Sequence, residues 1–246
     1  MTKVSLILTT YNSKDNLKQT LESIENQDNP NIEVVIKDGG SSDGTVEVIK
    51  EYAKESKHTV TWETKPDIGI YDAMNQGYQL STGDVIVFFN DVFTESTVVS
   101  KMVSLIENAP DCVGAHADLV YRDGDRVVRK WCMGKGSIYH GWMPGHPTLF
   151  LKREIYEKYG LYKTDFKISA DYEFMIRFLK DKNNKLAYLP ETIVSMFYGG
   201  TSSGGLSNYL LSLKEGHRAL RMNKVRWASY IDVRRTIKVL KQFVKA

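Results

Sequence analysis

The sequence predicts an α/β protein built on a mainly parallel sheet with helices on both faces. Two observations carry that reading. Through the first hundred residues, short apolar runs alternate with segments whose apolar residues recur at helical spacing, and this alternation favours parallel strands joined by covering helices. Each run also leads into a cluster of polar residues, and on such sheets ligands bind beyond the carboxyl ends of the strands.

The elements follow in order. Residues 4–8 (VSLIL) form an apolar run, and Leu17, Leu21 and Ile24 then recur at spacings of four and three, with Asn12 or Ser13 placed to cap that helix. A second strand over 32–36 precedes Val46, Ile49 and Ala53 on one helical face, and Val60 and Trp62 mark a third, short strand. A helix over about 70–80 leads to a strand starting at Val85, and Val98, Met102, Leu105 and Ile106 mark the next helix. From about residue 113 the pattern loosens. Segments 113–117, 127–131, 148–151 and 193–197 read as strands, and 170–180 as a helix with Phe174 and Phe178 one turn apart. The stretch 199–205 (GGTSSGG) is a flexible break, and a mostly helical tail follows. The expected organisation is one domain over 1–205, with halves 1–110 and 111–205, and a basic amphipathic tail over 206–246.

Composition narrows the function classes. The 246 residues are 42% hydrophobic and 26% charged, an ordinary soluble composition large enough for one sizeable domain or two small ones. A net charge of +3, from 33 basic and 30 acidic residues, is too small to argue for nucleic acid. Cys112 and Cys132 are too few for a disulfide framework or a structural zinc site and point to a reduced cytosolic setting. The run 4–8 is far shorter than a signal-peptide core, and no stretch reaches the roughly 18 apolar residues that span a bilayer, so a cytoplasmic protein is expected. No G-x-G-x-x-G follows the first strand, which argues against a dehydrogenase.

The strand ends carry the polar residues. The first ends in Thr9-Thr10-Tyr11-Asn12 and the second in Asp38-Gly39-Gly40-Ser41-Ser42-Asp43-Gly44-Thr45; the third leads to Lys65-Pro66-Asp67-Ile68-Gly69 and the fourth to Asn90-Asp91. Singly each is weak: Asp43 suits a helix cap as well as a ligand, and Asp38 before two glycines is also a turn. Together on one sheet edge they make a site.

In these residues the chain resembles the family 2 glycosyltransferases of the GT-A type. The matching stretches are SLILTTYN, VVIKDGGSSDGT, KPDIGIYDAMNQG, STGDVIVFFND and MPGHPTLFLKREIYEKYGLYKTDFKISADYEFMIRFL. The likeness is greatest to the branch that builds bacterial surface polysaccharides. It implies a GT-A nucleotide-diphospho-sugar transferase fold, a Rossmann-like mainly parallel mixed sheet flanked by helices. It also implies inverting transfer from a nucleotide diphosphate donor, a UDP-sugar before a dTDP-sugar, to a hydroxyl of a glycan or lipid-linked acceptor. The rival reading is a nucleotide-sugar-binding protein that kept the fold and lost catalysis.

A uracil or thymine ring offers an N3–H donor between carbonyl acceptors, which suits the Asp38 carboxylate, with Tyr11 to stack and Thr9 to bond. Asp67 precedes Gly69, which lets backbone approach a nucleotide closely, and Asp72 and Asn75, three apart on a helix, can point together at ribose or sugar hydroxyls. A solvated helix face is the plainer alternative for that pair. In the resembled family the fourth strand usually ends in Asp-x-Asp or Asp-Asp, which holds Mg²⁺ or Mn²⁺ on the donor diphosphate. Here Asn90-Asp91-Val92-Phe93 supplies one acid, and Asp84 lies roughly 23 Å away at the other end of the strand. Magnesium commonly takes one or two carboxylates with waters and phosphate oxygens. Asp91 is therefore the expected metal ligand, with the Asn90 amide oxygen or His146 as a further one; His146 equally suits contact with acceptor or phosphate.

Asp171, in ISADYEF, opens a helix, where an acid stabilises the helix start or, alternatively, serves as a base. The residues alone leave these comparable. The resemblance assigns Asp171 as the catalytic base, with Glu173 pointing elsewhere. WMPGHPTLF, holding Trp142, Pro144, Gly145, His146 and Pro147, suits the lining of a sugar pocket or a packed turn, and 201–205 suits a mobile cover.

Charge gathers in the tail. Residues 218–246 hold nine basic side chains against the single acid Asp232, interleaved with Trp227, Tyr230, Ile231, Ile237, Leu240 and Val244. This suits an amphipathic helix on an anionic membrane surface, peripheral to the inner face of the membrane, where lipid-linked acceptors reside. A solvated helix packed on its own domain stands equal to it.

Overall fold

The computed structural model describes residues 2–197, 206–240 and 242. The expected cover over 201–205 lies outside the described residues, as do Lys241, Val244 and Lys245 of the tail.

Strands β1 (Val4–Thr10), β2 (Ile32–Asp38), β3 (Thr59–Thr64) and β4 (Val85–Phe88) lie in the order β3-β2-β1-β4, all parallel. Parallel neighbours need crossovers, supplied by α1 (Lys14–Glu25), α2 (Thr45–Glu55) and α3 (Ile70–Leu80). Strands β1 and β2 are buried nearly end to end, as expected where helices cover both faces. Their period-two alternation divides the interior. Leu6, Leu8, Val34 and Ile36 join Leu17, Leu21 and Ile49 in one core, whereas Ile7 and Val35 join Tyr71 and Met74 in the other. Helix α3 lies so close on the sheet that a Cβ at Gly77 would stand 2.5 Å from Cγ2 of Ile7.

The second half extends the same sheet with β5 (Val92–Phe93), β6 (Cys112–Asp123), β7 (Arg126–Trp131), β8 (Phe150–Lys152) and β9 (Lys185–Phe197). Strand β8 runs antiparallel between β4 and β6, β9 runs parallel to β6, β7 pairs with β6, and the two-residue β5 pairs with the end of β9. Helices α4 (Val98–Glu107), α5 (Arg153–Tyr159), α6 (Ala170–Leu179), α7 (Leu206–Met222) and α8 (Ala228–Leu240) complete the layers. The sequence left β5 and α5 unannounced and placed the start of β9 eight residues late.

The tail does not stand apart from the rest. Ala219, Leu220, Val225, Ala228 and Ile231 are buried in the core that holds Ile7, Phe174 and Phe178. Its opposite side stays in solvent, with Trp227 80% and Leu240 66% exposed. One side of the tail is thus packed core and the other exposed surface.

Candidate active site

The chain fills β1, β2 and β3 to one side of β1 and then places β4 on the other. That reversal leaves a crevice at the carboxyl ends of β1 and β4, where open α/β sheets place ligands. Asn90 bridges it: its Oδ1 accepts from the Thr9 backbone N–H at 2.9 Å and its Nδ2 donates to Thr9 Oγ1 at 3.0 Å. The amide thus ties the two strand ends together and anchors the turn into Asp91. The Asn90 amide oxygen, expected as a further metal ligand, is the atom that takes the Thr9 N–H.

Asp38 ends β2, fully buried. Its Oδ1 accepts from Thr10 Oγ1 at 3.0 Å and Ser41 Oγ at 2.5 Å; its Oδ2 accepts from the N–H groups of Gly40 and Ser41 at 2.9 Å and from Thr64 Oγ1 at 2.5 Å. Burial raises the carboxyl pKa, but the hydrogen bonds from Ser41, Thr64 and Gly40 outweigh it and hold the group below its ordinary value. Five donors fill the acceptor sites of this carboxylate. Asp38 therefore braces the loop at the place expected for the base.

The open surface lies beside it. Tyr11 is 67% exposed, and a Cβ on Gly39 would stand 2.7 Å from Asp67 Oδ2 and 3.3 Å from Tyr11 Cδ2. Glycine at 39 is what lets Tyr11 and Asp67 share one shelf. Lys37, a residue the sequence reading passed over, is fully buried, and its Nζ donates to the carbonyls of Asp38 at 2.8 Å and Lys65 at 2.5 Å. It ties the loop after β2 to the loop after β3.

Asp67 Oδ1 accepts from the Gly69 N–H at 2.9 Å, and Gly69, at φ +133°, adopts a backbone conformation that a side chain would strain. Asp72 and Asn75 do not point together. Asp72 Oδ2 accepts from Ile68 N–H at 3.1 Å and Gln76 Nε2 at 2.8 Å, while the Asn75 amide donates to Tyr162 O at 2.8 Å and accepts from Tyr162 N–H at 3.0 Å. Asn75 is thus a clamp on the second half of the domain.

Below the crevice lies a cleft of about 1340 Å³ whose walls include Tyr71, Asn90, Asp91, His146 and Asp171. Thr9, Tyr11, Asp38 and Asp67 are not among its lining residues and stand on the adjoining strand ends. Pairing of Val92 with Ser195 in β5 and β9 brings Asp91 beside the Phe197 N–H. Burial pushes the Asp91 carboxyl up to about 7, against that single backbone hydrogen bond.

His146 Nε2 lies 2.8 Å from the Tyr162 hydroxyl, and its ring stacks on Phe88 with centroids 5.8 Å apart. Burial lowers its pKa, against the charge of Asp171, so it stands neutral. With Tyr162 at its Nε2, His146 stands as a wall of the cleft. Among the described residues no three acids, histidines or cysteines cluster to hold a metal. Asp91 alone fits one, since Mg²⁺ or Mn²⁺ completes its coordination with phosphate oxygens and water.

Asp171 is the second residue of α6 and accepts from the Tyr71 hydroxyl at Oδ1, 3.1 Å. Glu173 turns the other way into the core, fully buried and paired with Arg177 at 2.8 Å and Lys163 at 3.2 Å. Asp84 sits at the opposite sheet edge, its carboxylate accepting from the Lys3 N–H at 2.9 Å. The rest of the cleft wall is aromatic and methionine-rich, with Tyr121, Trp131, Met133 and Trp142, and α8 contributes Arg235 and Lys238.

Comparison with known proteins gives the family and the fold. The model of "Glycosyl transferase family 2" matches residues 5–192. A PGL/p-HBAD biosynthesis glycosyltransferase of Mycobacterium bovis is 28% identical over 234 residues, covering 89% of this chain and 84% of that protein. An uncharacterized glycosyltransferase of Mycobacterium tuberculosis is 30% identical over 190 residues, covering 71% of this chain and 68% of its own.

Among solved structures, S. aureus TarS in complex with UDP-GlcNAc superposes with a TM-score of 0.72 at 17% identity, covering 99% of this chain and 68% of that one. Against a longer TarS chain this protein spans 39% of its length. The mannosyltransferase PcManGT of Pyrobaculum calidifontis, in complex with GDP-Man and Mn²⁺, has a TM-score of 0.67 at 16% identity, covering 98% of this chain and 74% of that one. With the family match over most of its length and its sheet shared with these transferases, the chain belongs to glycosyl transferase family 2 and is a glycosyltransferase of the GT-A fold.

Proposed function

We propose that this transferase moves a sugar, with inversion, from a UDP-sugar to a hydroxyl of a glycan or lipid-linked acceptor in cell-surface polysaccharide synthesis; a dTDP-sugar is the second choice of donor. One observation carries the reading: Asp91 and Asp171 line the same cleft at the carboxyl end of the sheet. One carboxylate serves the diphosphate and the other the acceptor. The UDP-GlcNAc and GDP-Man bound by proteins of the same fold, and the relative named for PGL/p-HBAD biosynthesis, support a sugar-nucleotide donor and a biosynthetic role.

In this reading the base stacks on Tyr11 at the shelf with Asp67, and Asp91 would hold a divalent cation with the diphosphate. Such a cation, when bound, offsets the charge that builds on the leaving diphosphate. The acceptor oxygen forms its bond to the anomeric carbon as the bond to the phosphate oxygen breaks, and that oxygen keeps the electron pair. The acceptor proton passes to Asp171. Tyr71 occupies Oδ1, which leaves Oδ2 to receive it. His146, neutral, lines the cleft without competing for the proton.

We place the enzyme on a membrane surface through α8. Tyr230, Val233, Ile237 and Leu240 are exposed along it, and Trp227 precedes it at 80% exposure, beside Arg226, Arg234 and Lys238. No helix among the described residues is long and apolar enough to cross a membrane.

The test is release of UDP from a panel of UDP-sugars. The expected result is slow release that depends on Mn²⁺ and falls at least about 10-fold in Asp91→Asn. A single acid in the metal motif favours the rival reading of a binding protein without catalysis. UDP binding with no release from any UDP-sugar or dTDP-sugar, with or without Mn²⁺, would overturn the proposed transfer in favour of that rival.

A further inference from the structure

Helix α7 reaches back to the start of α6. Glu215 on α7 is 6% exposed, and its Oε1 accepts from the Lys167 N–H at 2.8 Å while its Oε2 accepts from the Ile168 and Ser169 N–H groups at 3.0 Å each. Three successive amides converge on one carboxylate. Ser169 is the N-cap of α6 and its own side chain makes no capping bond, so the cap comes from a residue 46 positions away. A carboxylate is favoured there both by the unpaired N–H groups and by the helix dipole.

Asp171 follows Ser169 by two residues, and Lys167, Ile168 and Ser169 line the same cleft. The segment that Glu215 holds lies outside regular structure, so its amides have no sheet or helix partners. Helix α7 is itself fixed by buried Ala219 and Leu220, by the pair of Arg218 with Asp165, and by Arg235 of α8, which donates to Ser212 at 3.3 Å and stacks over Tyr172 at 4.2 Å.

We propose that Glu215 is a positioning residue for the transfer step: it fixes the 167–169 backbone and thereby aims Asp171, making the tail part of the catalytic unit. The inference rests on the reading of Asp171 as the base. A displacement of a reacting group by about 1 Å costs on the order of 100-fold in rate, so a carboxylate that never touches substrate can govern turnover.

The test compares Glu215→Gln, Glu215→Asp, Asp171→Asn and the double variant Glu215→Gln/Asp171→Asn in the full chain. Glutamine keeps one acceptor and turns an NH₂ group toward the amides. We expect kcat to fall roughly 10- to 100-fold in Glu215→Gln with UDP affinity and donor KM within about twofold of wild type, and a partial return in Glu215→Asp. In the Asp171→Asn background Glu215→Gln should add no further loss, because both act on one step. Amide hydrogen exchange at 167–169 should quicken in Glu215→Gln and stay slow in Asp171→Asn.

Wild-type turnover in Glu215→Gln, a full multiplicative loss in the double variant, or unchanged exchange at 167–169 would each overturn the proposal. Should Glu215→Gln not fold, Glu215→Asp read by the same exchange and kcat against KM decides it. Undiminished transfer by Asp171→Asn would instead remove the base assignment, and with it the object being positioned.

Discussion

The Tyr71 hydroxyl donates to Oδ1 of Asp171 across 3.1 Å, joining the first turn of α3 to the first turn of α6. Tyr71 follows the Asp67–Gly69 loop at the proposed donor end, and Asp171 stands where the acceptor is proposed to be deprotonated. Burial, and then the Asp171 charge, raises the tyrosine pKa well above its ordinary value, so it stays a donor across the working range. Tyr71→Phe is expected to lower kcat roughly 10-fold while leaving UDP affinity unchanged, by steady-state kinetics and calorimetry. Equal losses in donor binding would mean that Tyr71 serves the nucleotide instead.

Asp91 links pH to stability. Its pKa in the folded chain is about 7 against an ordinary 3.8, so between these values the folded state holds a proton that the unfolded chain has lost. Stability from this group is therefore lost as pH rises from about 4 to about 7. Asp91→Asn should raise Tm at pH 8 and leave it nearly unchanged at pH 4 in thermal unfolding without metal. The opposite ordering would exclude a desolvated carboxylate.

Asp38 behaves with the reverse sign. Its depressed pKa means that its stabilisation is present above pH 3.8 and is lost as pH falls through the folded value. Asp38→Ala leaves five donors without their acceptor and should cost about 3 kcal/mol at pH 7 by denaturant unfolding. Asp38→Asn should show a smaller loss that narrows in acid.

Gly39→Ala tests the shelf. The added methyl meets Asp67 Oδ2 at 2.7 Å and Tyr11 Cδ2 at 3.3 Å, and both are side chains that can yield. The expected outcome is a Tm close to wild type with UDP affinity about 10-fold weaker, since one displaced contact of about 1.4 kcal/mol is a factor of ten. Unchanged affinity would move the nucleotide off Tyr11 and Asp67.

The membrane role of α8 is best tested on its outer side. Deleting 218–246 would remove Ala219, Leu220, Val225, Ala228 and Ile231 from the core and so confound binding with unfolding. Trp227→Ser with Val233→Ser and Leu240→Ser touches exposed positions instead. Flotation with vesicles of anionic lipid should be lost in that triple variant while Tm holds; equal flotation would exclude the patch.

The alternating half was legible because each strand and helix there is long enough to show its period. Strand β5, with two residues, has no period to show, and β9 carries Pro190 in its middle and breaks register against β6 at Ala117 and Asp118. The polar strand ends could be read from the chain, but the partners of their side chains could not. Asn75 with Tyr162, and Glu215 with Ser169, meet across 87 and 46 residues respectively, and no local pattern encodes such a meeting. The five partners of Asp38 were equally out of reach of the sequence, since they come from β1, β3 and its own loop. The tail mixed two signals because one side of it is core and the other is surface.

The central claim, that Asp91 serves the donor diphosphate and Asp171 the acceptor hydroxyl in one cleft, is tested most directly by a crystal structure with a UDP-sugar analogue and Mn²⁺. The account predicts the cation on the Asp91 carboxylate and the anomeric carbon turned toward Asp171. A donor seated elsewhere, with Asp91 and Asp171 facing a cleft it does not enter, would contradict it.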